Sequence, residues 1–115
     1  MKNKEILIEA NNAVAAGDYE GFLMFCAEDT KWTFVGDTML VGKEAVRQWM
    51  AANYIEPPKF DVKKLIAEND FVTVSGDIKI AAKNGEAKSY AYCDIWRFHD
   101  GKMAELMAFV IETEE

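Results

Sequence analysis

Two consecutive prolines, in Glu56-Pro57-Pro58-Lys59, divide the chain. Neither ring can sit inside a continuing helix and neither nitrogen can donate a hydrogen bond, so the segments on either side of the pair fold as separate elements. Before the break, apolar residues recur at steps of three and four. Ile6, Leu7, Ala10, Ala13 and Val14 make one stripe. Gly17 ends that helix, and Asp18 is placed to cap a second one carrying Phe22, Leu23, Phe25 and Cys26. Trp32, Phe34 and Val35 lose the helical period and suit a strand, with Gly36-Asp37 as a tight turn into Met39-Leu40-Val41. Ala45, Val46, Trp49, Met50 and Asn53 return to helical spacing and predict a third helix over 43–54.

After the break the period falls to two. Phe60, Val62, Lys64 and Ile66 alternate with their neighbours, and Asn69-Asp70 marks a turn. Phe71 to Ala82 is rich in Val and Ile, with Gly76 as a candidate bulge. Asn84-Gly85 and Asp100-Gly101 are hairpin turns flanking Ala87 to His99 and Lys102 to Glu112. Three helices with a curved antiparallel sheet make an α+β architecture, the helices covering one sheet face. On the Phe71–Ala82 strand, Val72, Val74, Ile78 and Ile80 form the buried side, and Thr73, Ser75, Asp77 and Lys79 the outward one.

Composition sets the outer bounds. The 115 residues suit one domain, 1–115, long enough to bury roughly two-thirds of its surface. Half the residues are hydrophobic, so disorder is not the dominant state. With 13 Lys and Arg against 20 Asp and Glu, the net charge of −7 repels phosphate backbones and anionic lipid, which argues against nucleic-acid and membrane partners. No apolar run is long enough to span a bilayer, and Met1 to Ala10 does not read as a signal peptide. Cys26 and Cys93 both fall in apolar or strand patterns and read as buried free thiols, so a cytoplasmic protein is expected. One histidine and two distant cysteines cannot build a zinc site, and no phosphate-binding glycine loop or serine elbow occurs, so no metal or cofactor is expected. His99 beside the Asp100-Gly101 turn reads as surface, Glu28-Asp29 as the solvated end of the second helix, and Glu112, Glu114 and Glu115 as an acidic tail.

One strand stands out. Alternation places Tyr90, Tyr92, Asp94, Trp96 and Phe98 on one face, and Ala91, Cys93, Ile95, Arg97 and His99 on the other. Four rings flank one carboxylate. If that face points inward, burial raises the Asp94 pKa, and a neutral carboxylic acid can donate a hydrogen bond to a developing enolate oxygen. A strand aspartate among aromatics can equally face solvent, or partner a phenol or indole of the next strand; periodicity leaves this open.

Ala16-Gly17-Asp18-Tyr19-Glu20, Cys26-Ala27-Glu28-Asp29-Thr30, Val41-Gly42-Lys43-Glu44-Ala45-Val46 and Asp94 through Lys102, in this order and at these separations, resemble the SnoaL-like proteins. These belong to the nuclear-transport-factor-2-like superfamily, with its ketosteroid isomerases and polyketide cyclases. The resemblance covers nearly the whole chain and implies a cone-shaped barrel, a strongly curved mixed or antiparallel sheet around three helices with a deep apolar pocket. It also implies a homodimer formed through the outer sheet face, here including Cys93, Ile95 and Arg97. Asp94 matches the protonated aspartate of the isomerases' oxyanion hole. Phe34 stands where they place the general base and Ala10 where they place the phenol, so steroid isomerase activity is not expected. The family's cyclases use a single aspartate as acid/base. Its epoxide hydrolases need an Asp-Arg-Asp set, for which no second inward carboxylate or inward arginine is found, Arg97 having the opposite parity to Asp94.

The expectation is a binder of a small hydrophobic molecule. As an enzyme it would be an isomerase or cyclase acting on a carbonyl compound, with Asp94 as acid or acid/base and Tyr90 and Tyr92 as auxiliary donors. Trp32, Phe34, Trp49, Tyr54, Trp96 and Leu106 would form the walls, although plain core packing accounts equally well for Trp32, Phe34, Trp49, Tyr54 and Leu106. The alternative is a binding or assembly module that keeps the pocket without the chemistry.

Overall fold

The computed structural model describes residues 2–113, so Glu114 and Glu115 of the acidic end lie outside the described residues. Helix α1 (Asn3–Ala15) buries Ile6, Leu7, Ala10 and Val14, the stripe expected from its spacing. Gly17 stops it at φ 82°, a left-handed conformation that costs glycine little. A Cβ there would also stand 3.2 Å from the Pro57 ring, so the proline break packs against this turn. Asp18 caps α2 (Tyr19–Leu23) by accepting from the Gly21 amide at 2.9 Å.

The second helix is shorter than expected. It ends at Leu23, and Cys26 already opens strand β1 (Cys26–Phe34). Glu28 and Asp29 therefore sit on a strand, exposed, and not at a helix end. The reason is non-local: the Met103 amide donates to the Phe25 carbonyl at 2.8 Å, and Cys26 pairs with Met103, drawing the segment into the sheet. Strand β2 (Met39–Val41) and helix α3 (Lys43–Asn53) come next; α3 buries Val46 and Met50. Arg47 of α3 donates to Glu20 of α2 at 2.7 Å and also pairs with Glu44.

Strands β3 (Lys59–Glu68), β4 (Phe71–Ala81), β5 (Ala87–His99) and β6 (Lys102–Glu112) complete one six-stranded sheet ordered β2-β1-β6-β5-β4-β3. All pairs are antiparallel except β1 with β6, so the sheet is mixed. It curves but does not close, leaving β2 and β3 as edges. Thr30, fully buried, donates its hydroxyl to the Met103 carbonyl at 3.0 Å and ties the parallel pair together.

The bulge expected at Gly76 lies on its partner strand. Register slips between Val62 and Lys64, leaving Lys63 extra on β3 opposite Gly76. The slip also corrects the simple alternation expected for β3. Phe60 packs against the core, but beyond the bulge it is Leu65 that turns inward while Ile66 is exposed. On β4, Val72, Val74 and Ile78 are buried as expected, and Thr73 and Asp77 are not.

Candidate functional site

The concave face of the sheet and the helices enclose a cavity of about 310 Å³. Strand β5 supplies Tyr90, Tyr92, Asp94 and Trp96; β1 supplies Trp32 and Phe34; α3 and its C-cap supply Trp49 and Tyr54; β6 supplies Leu106. All nine residues singled out from the sequence thus line one cavity. Strict alternation along β5, paired without interruption to β4 from Phe71 through Ala81, holds its four on the concave face. Their neighbours Ala91, Cys93, Ile95 and Arg97 face outward, where Arg97 pairs with Glu105 of β6. His99 is exposed beside Asp100.

The rings form a connected cluster. Trp32 meets Trp96 edge-on at 5.5 Å between centroids and Phe22 at 5.8 Å, Phe34 stacks on Trp49 at 4.8 Å, and Trp49 meets Tyr54 at 5.4 Å. Three buried polar atoms have no partner among the described residues: the Tyr92 hydroxyl, the Trp32 indole nitrogen and the hydroxyl of Tyr19, a neighbour of Tyr54 at 5.9 Å.

Asp94 is the chemical centre. Asp94 is half-buried as a residue, and the cavity that its carboxyl lines is mostly hydrocarbon. Desolvation pushes its pKa up to about 7. No hydrogen bond or ion pair to that carboxyl exists among the described residues to offset the shift. Burial, with the Asp94 charge nearby, also pushes Tyr92 up to about 12 and holds Tyr54 well above the usual phenol range, so both phenols stay protonated donors.

Further residues that were not singled out as site residues also line it. Asn11 of α1 and Asn53, the polar member of the α3 stripe, bring amides to the cavity, although Asn53 Nδ2 already donates to the Trp49 carbonyl at 2.9 Å. Asp37, in the turn between β1 and β2, is exposed and lines the cavity too, so a second carboxylate does reach the site, contrary to expectation. A turn residue has no face parity from which this could be read. No Lys, Arg or His lines the cavity among the described residues, so the Asp-Arg-Asp set remains incomplete. Phe34 lies at the cavity wall, while Ala10 is buried in the core. No cluster of metal-ligating side chains occurs among the described residues.

This combination of curved sheet, helical cover and apolar cavity with one buried acid defines a class of fold, and sequence comparison agrees with it. The SnoaL-like domain family matches residues 8–106, and the chain belongs to that family. No curated protein sequence matches the chain. Among solved structures it is similar to SalBIII, an epoxide hydrolase/cyclase-like enzyme with a role in pyran ring formation in the polyether salinomycin. The TM-score is 0.85 at 21% identity, over 94% of this chain and 89% of that one. An NTF2-like protein of unknown function from Burkholderia pseudomallei superposes with a TM-score of 0.81 at 20% identity, covering 94% and 90%. TerC, co-crystallised with polyporic acid, gives 0.79 at 17% identity, covering 92% and 88%. At these identities the likeness is one of fold.

Proposed function

We propose that this chain binds a small apolar carbonyl compound in its cavity and acts on it as an isomerase- or cyclase-type enzyme, with Asp94 as acid or acid/base. The observation that carries this reading is the Asp94 carboxyl, raised to about 7 on the wall of an aromatic cavity with no basic side chain among its described lining residues. A group with that pKa is half protonated at neutral pH, where donating and accepting a proton are equally within reach. As the acid, Asp94 donates its proton to the carbonyl oxygen; as the conjugate base, it then takes a proton from the carbon next to that carbonyl, whose C–H electron pair forms the enol double bond. The unpartnered Tyr92 hydroxyl is a second donor two residues away on the same strand face. The cyclase-like nature of SalBIII supports the reaction class, and the polyporic acid of TerC supports the kind of molecule held. The reading needs no cofactor and treats residues 1–115 as one domain.

The second reading is a binding or assembly module that keeps the cavity without turnover. Phe34 favours it, because a hydrocarbon ring occupies the wall where isomerases of the fold carry their base. One comparison separates the two. Asp94→Asn should abolish turnover of enolisable carbonyl compounds under the first reading and change only affinity under the second. Carboxyl-carbon NMR titration of Asp94 tests the premise: a value near the ordinary aspartate pKa of about 4 removes the acid-catalyst reading.

Two further parts complete the proposal. The outer sheet face exposes Phe71, Met107 and Phe109 around Ile95, a surface suited to pairing with a second copy. The free thiols Cys26 and Cys93 suit a reducing, cytoplasmic setting, and no helix among the described residues is long and apolar enough to cross a membrane.

A further inference from the structure

The cavity is an aromatic enclosure around an acid that has no counter-charge. Of the residues lining it, nine are aromatic and two, Asp94 and Asp37, are acidic; none is basic among the described residues. An ionised Asp94 is therefore unfavourable, because nothing among the described residues offsets its lost hydration. A ligand bearing a positive charge offsets it in two ways, by pairing with the carboxylate and by resting against the negative faces of the rings. Asp37 at the exposed end of the cavity and the net charge of −7 favour approach of a cation over an anion.

We propose that the cavity is also a binding site for lipophilic organic ammonium ions, held by ion pairing with Asp94 inside a cage of Trp32, Trp49, Tyr54 and Trp96. A compact aryl-trialkylammonium suits a space of about 310 Å³, in which one end must be apolar and the other charged. This goes beyond the carbonyl reading, and the two differ in sign with pH. A carbonyl oxygen accepts a hydrogen bond from neutral Asp94, so its binding weakens as pH rises through about 7. An ammonium ion pairs with ionised Asp94, so its binding tightens over the same range.

The other titratable groups facing Asp94 do not blur that profile. Tyr54 at the C-cap of α3 and Tyr92 on β5 stay neutral throughout, both raised further by the Asp94 charge, and Tyr90 on the same β5 face is the third phenol of the cavity. Among the cavity-lining residues, α1 contributes the neutral amide of Asn11, and β3, β4 and β6 contribute only hydrocarbon. Asp37, the remaining charge, is exposed in its turn.

The test compares phenyltrimethylammonium with tert-butylbenzene, a neutral molecule of the same shape. All three tryptophans of the chain line the cavity, so their fluorescence reports occupancy directly. The cation should bind tighter than its neutral twin at pH ~8.5, and its affinity should fall about tenfold at pH ~6, where a group titrating near 7 is mostly protonated. The neutral twin should show no such slope. In Asp94→Asn the pH slope should vanish and the preference for charge should shrink to what the rings and Asp37 supply. Equal binding of the two probes by the native protein at the higher pH, or an undiminished charge preference or pH slope in Asp94→Asn, overturns the proposal. Should that variant not fold, the slope of the native protein against the neutral twin decides alone. Failure of carbonyl compounds to bind or react, with the cation still behaving as described, removes the carbonyl reading and leaves this one standing.

Discussion

Asp94 has a consequence for stability as well as chemistry. Its pKa is 3.8 when unfolded and about 7 when folded, so the folded state holds its proton more tightly. For an acid raised in this way, the stabilising contribution is complete below pH 3.8 and is lost as pH rises through about 7. The full shift corresponds to a ceiling of about 4 kcal/mol, and partial exposure of the residue brings the expected value to about 1–3 kcal/mol. Asp94→Asn keeps the shape and removes the titration. Urea unfolding should show it more stable than the native protein by that margin at pH ~8, with the gap closing towards pH ~4. A gap independent of pH would mean that Asp94 is solvated. The position of this residue was legible because β5 alternates without a break, so parity alone sent Tyr90, Tyr92, Asp94 and Trp96 to one side. Whether that side was concave or wet was not legible, since parity has no sign until the helices choose a face. The cavity positions of Asn11 and Asn53 were not legible for a related reason: a polar residue at the border of a helical stripe looks the same whether it faces solvent or a cavity.

Elements were legible where the chain obeys one period and obscure where a distant strand intervenes. The stripe of α1 and the turn at Asp100-Gly101 arise from neighbours in sequence, the latter with left-handed φ values of 50° and 74°. The start of β1 does not, because it is set by pairing with β6, far along the chain at Met103. The β3 bulge is the sharper case. The glycine on β4 signalled it, but the extra residue is Lys63 on the facing strand. A Cβ on Gly76 would lie 2.1 Å from the Asp61 carbonyl oxygen, and that oxygen belongs to backbone that cannot swing aside. Gly76→Ala should therefore cost about 1–3 kcal/mol by overpacking, more than a methyl group normally costs in a strand. Denaturant melts read the loss, and amide exchange should place it in β3 and β4. An alanine variant as stable as the native protein would show that the bulge can slide. Such a slide would also return Leu65 and Ile66 to the parity that simple alternation expects.

Across the whole molecule the parallel pairing of β1 with β6 joins the first strand to the last, and the concave face is taken up by the cavity and core. The convex face carries a set of exposed hydrocarbon side chains. Cross-strand register lines up Ile66, Thr73, Ile95, Met107 and Thr33 in one row across β3, β4, β5, β6 and β1. Ile66 is 61% exposed, Phe71 49% and Met107 46%. A shallow groove of about 280 Å³ runs among Phe71, Ile95 and Met107, and the Arg97–Glu105 pair borders it. Contiguous exposed hydrocarbon of this kind marks an association surface, and a stable dimer needs about 800 Å² from each partner. If two copies pair through this face, sedimentation equilibrium should give a particle of twice 13.0 kDa. Ile95→Glu places a carboxylate at the centre of the row, where two copies would set like charges against each other in a dry contact. It should return the protein to 13.0 kDa while the near-ultraviolet circular dichroism of the cavity tryptophans stays as in the native protein, because the substitution faces away from them. A native protein that sediments as a monomer at micromolar concentration would remove the pairing.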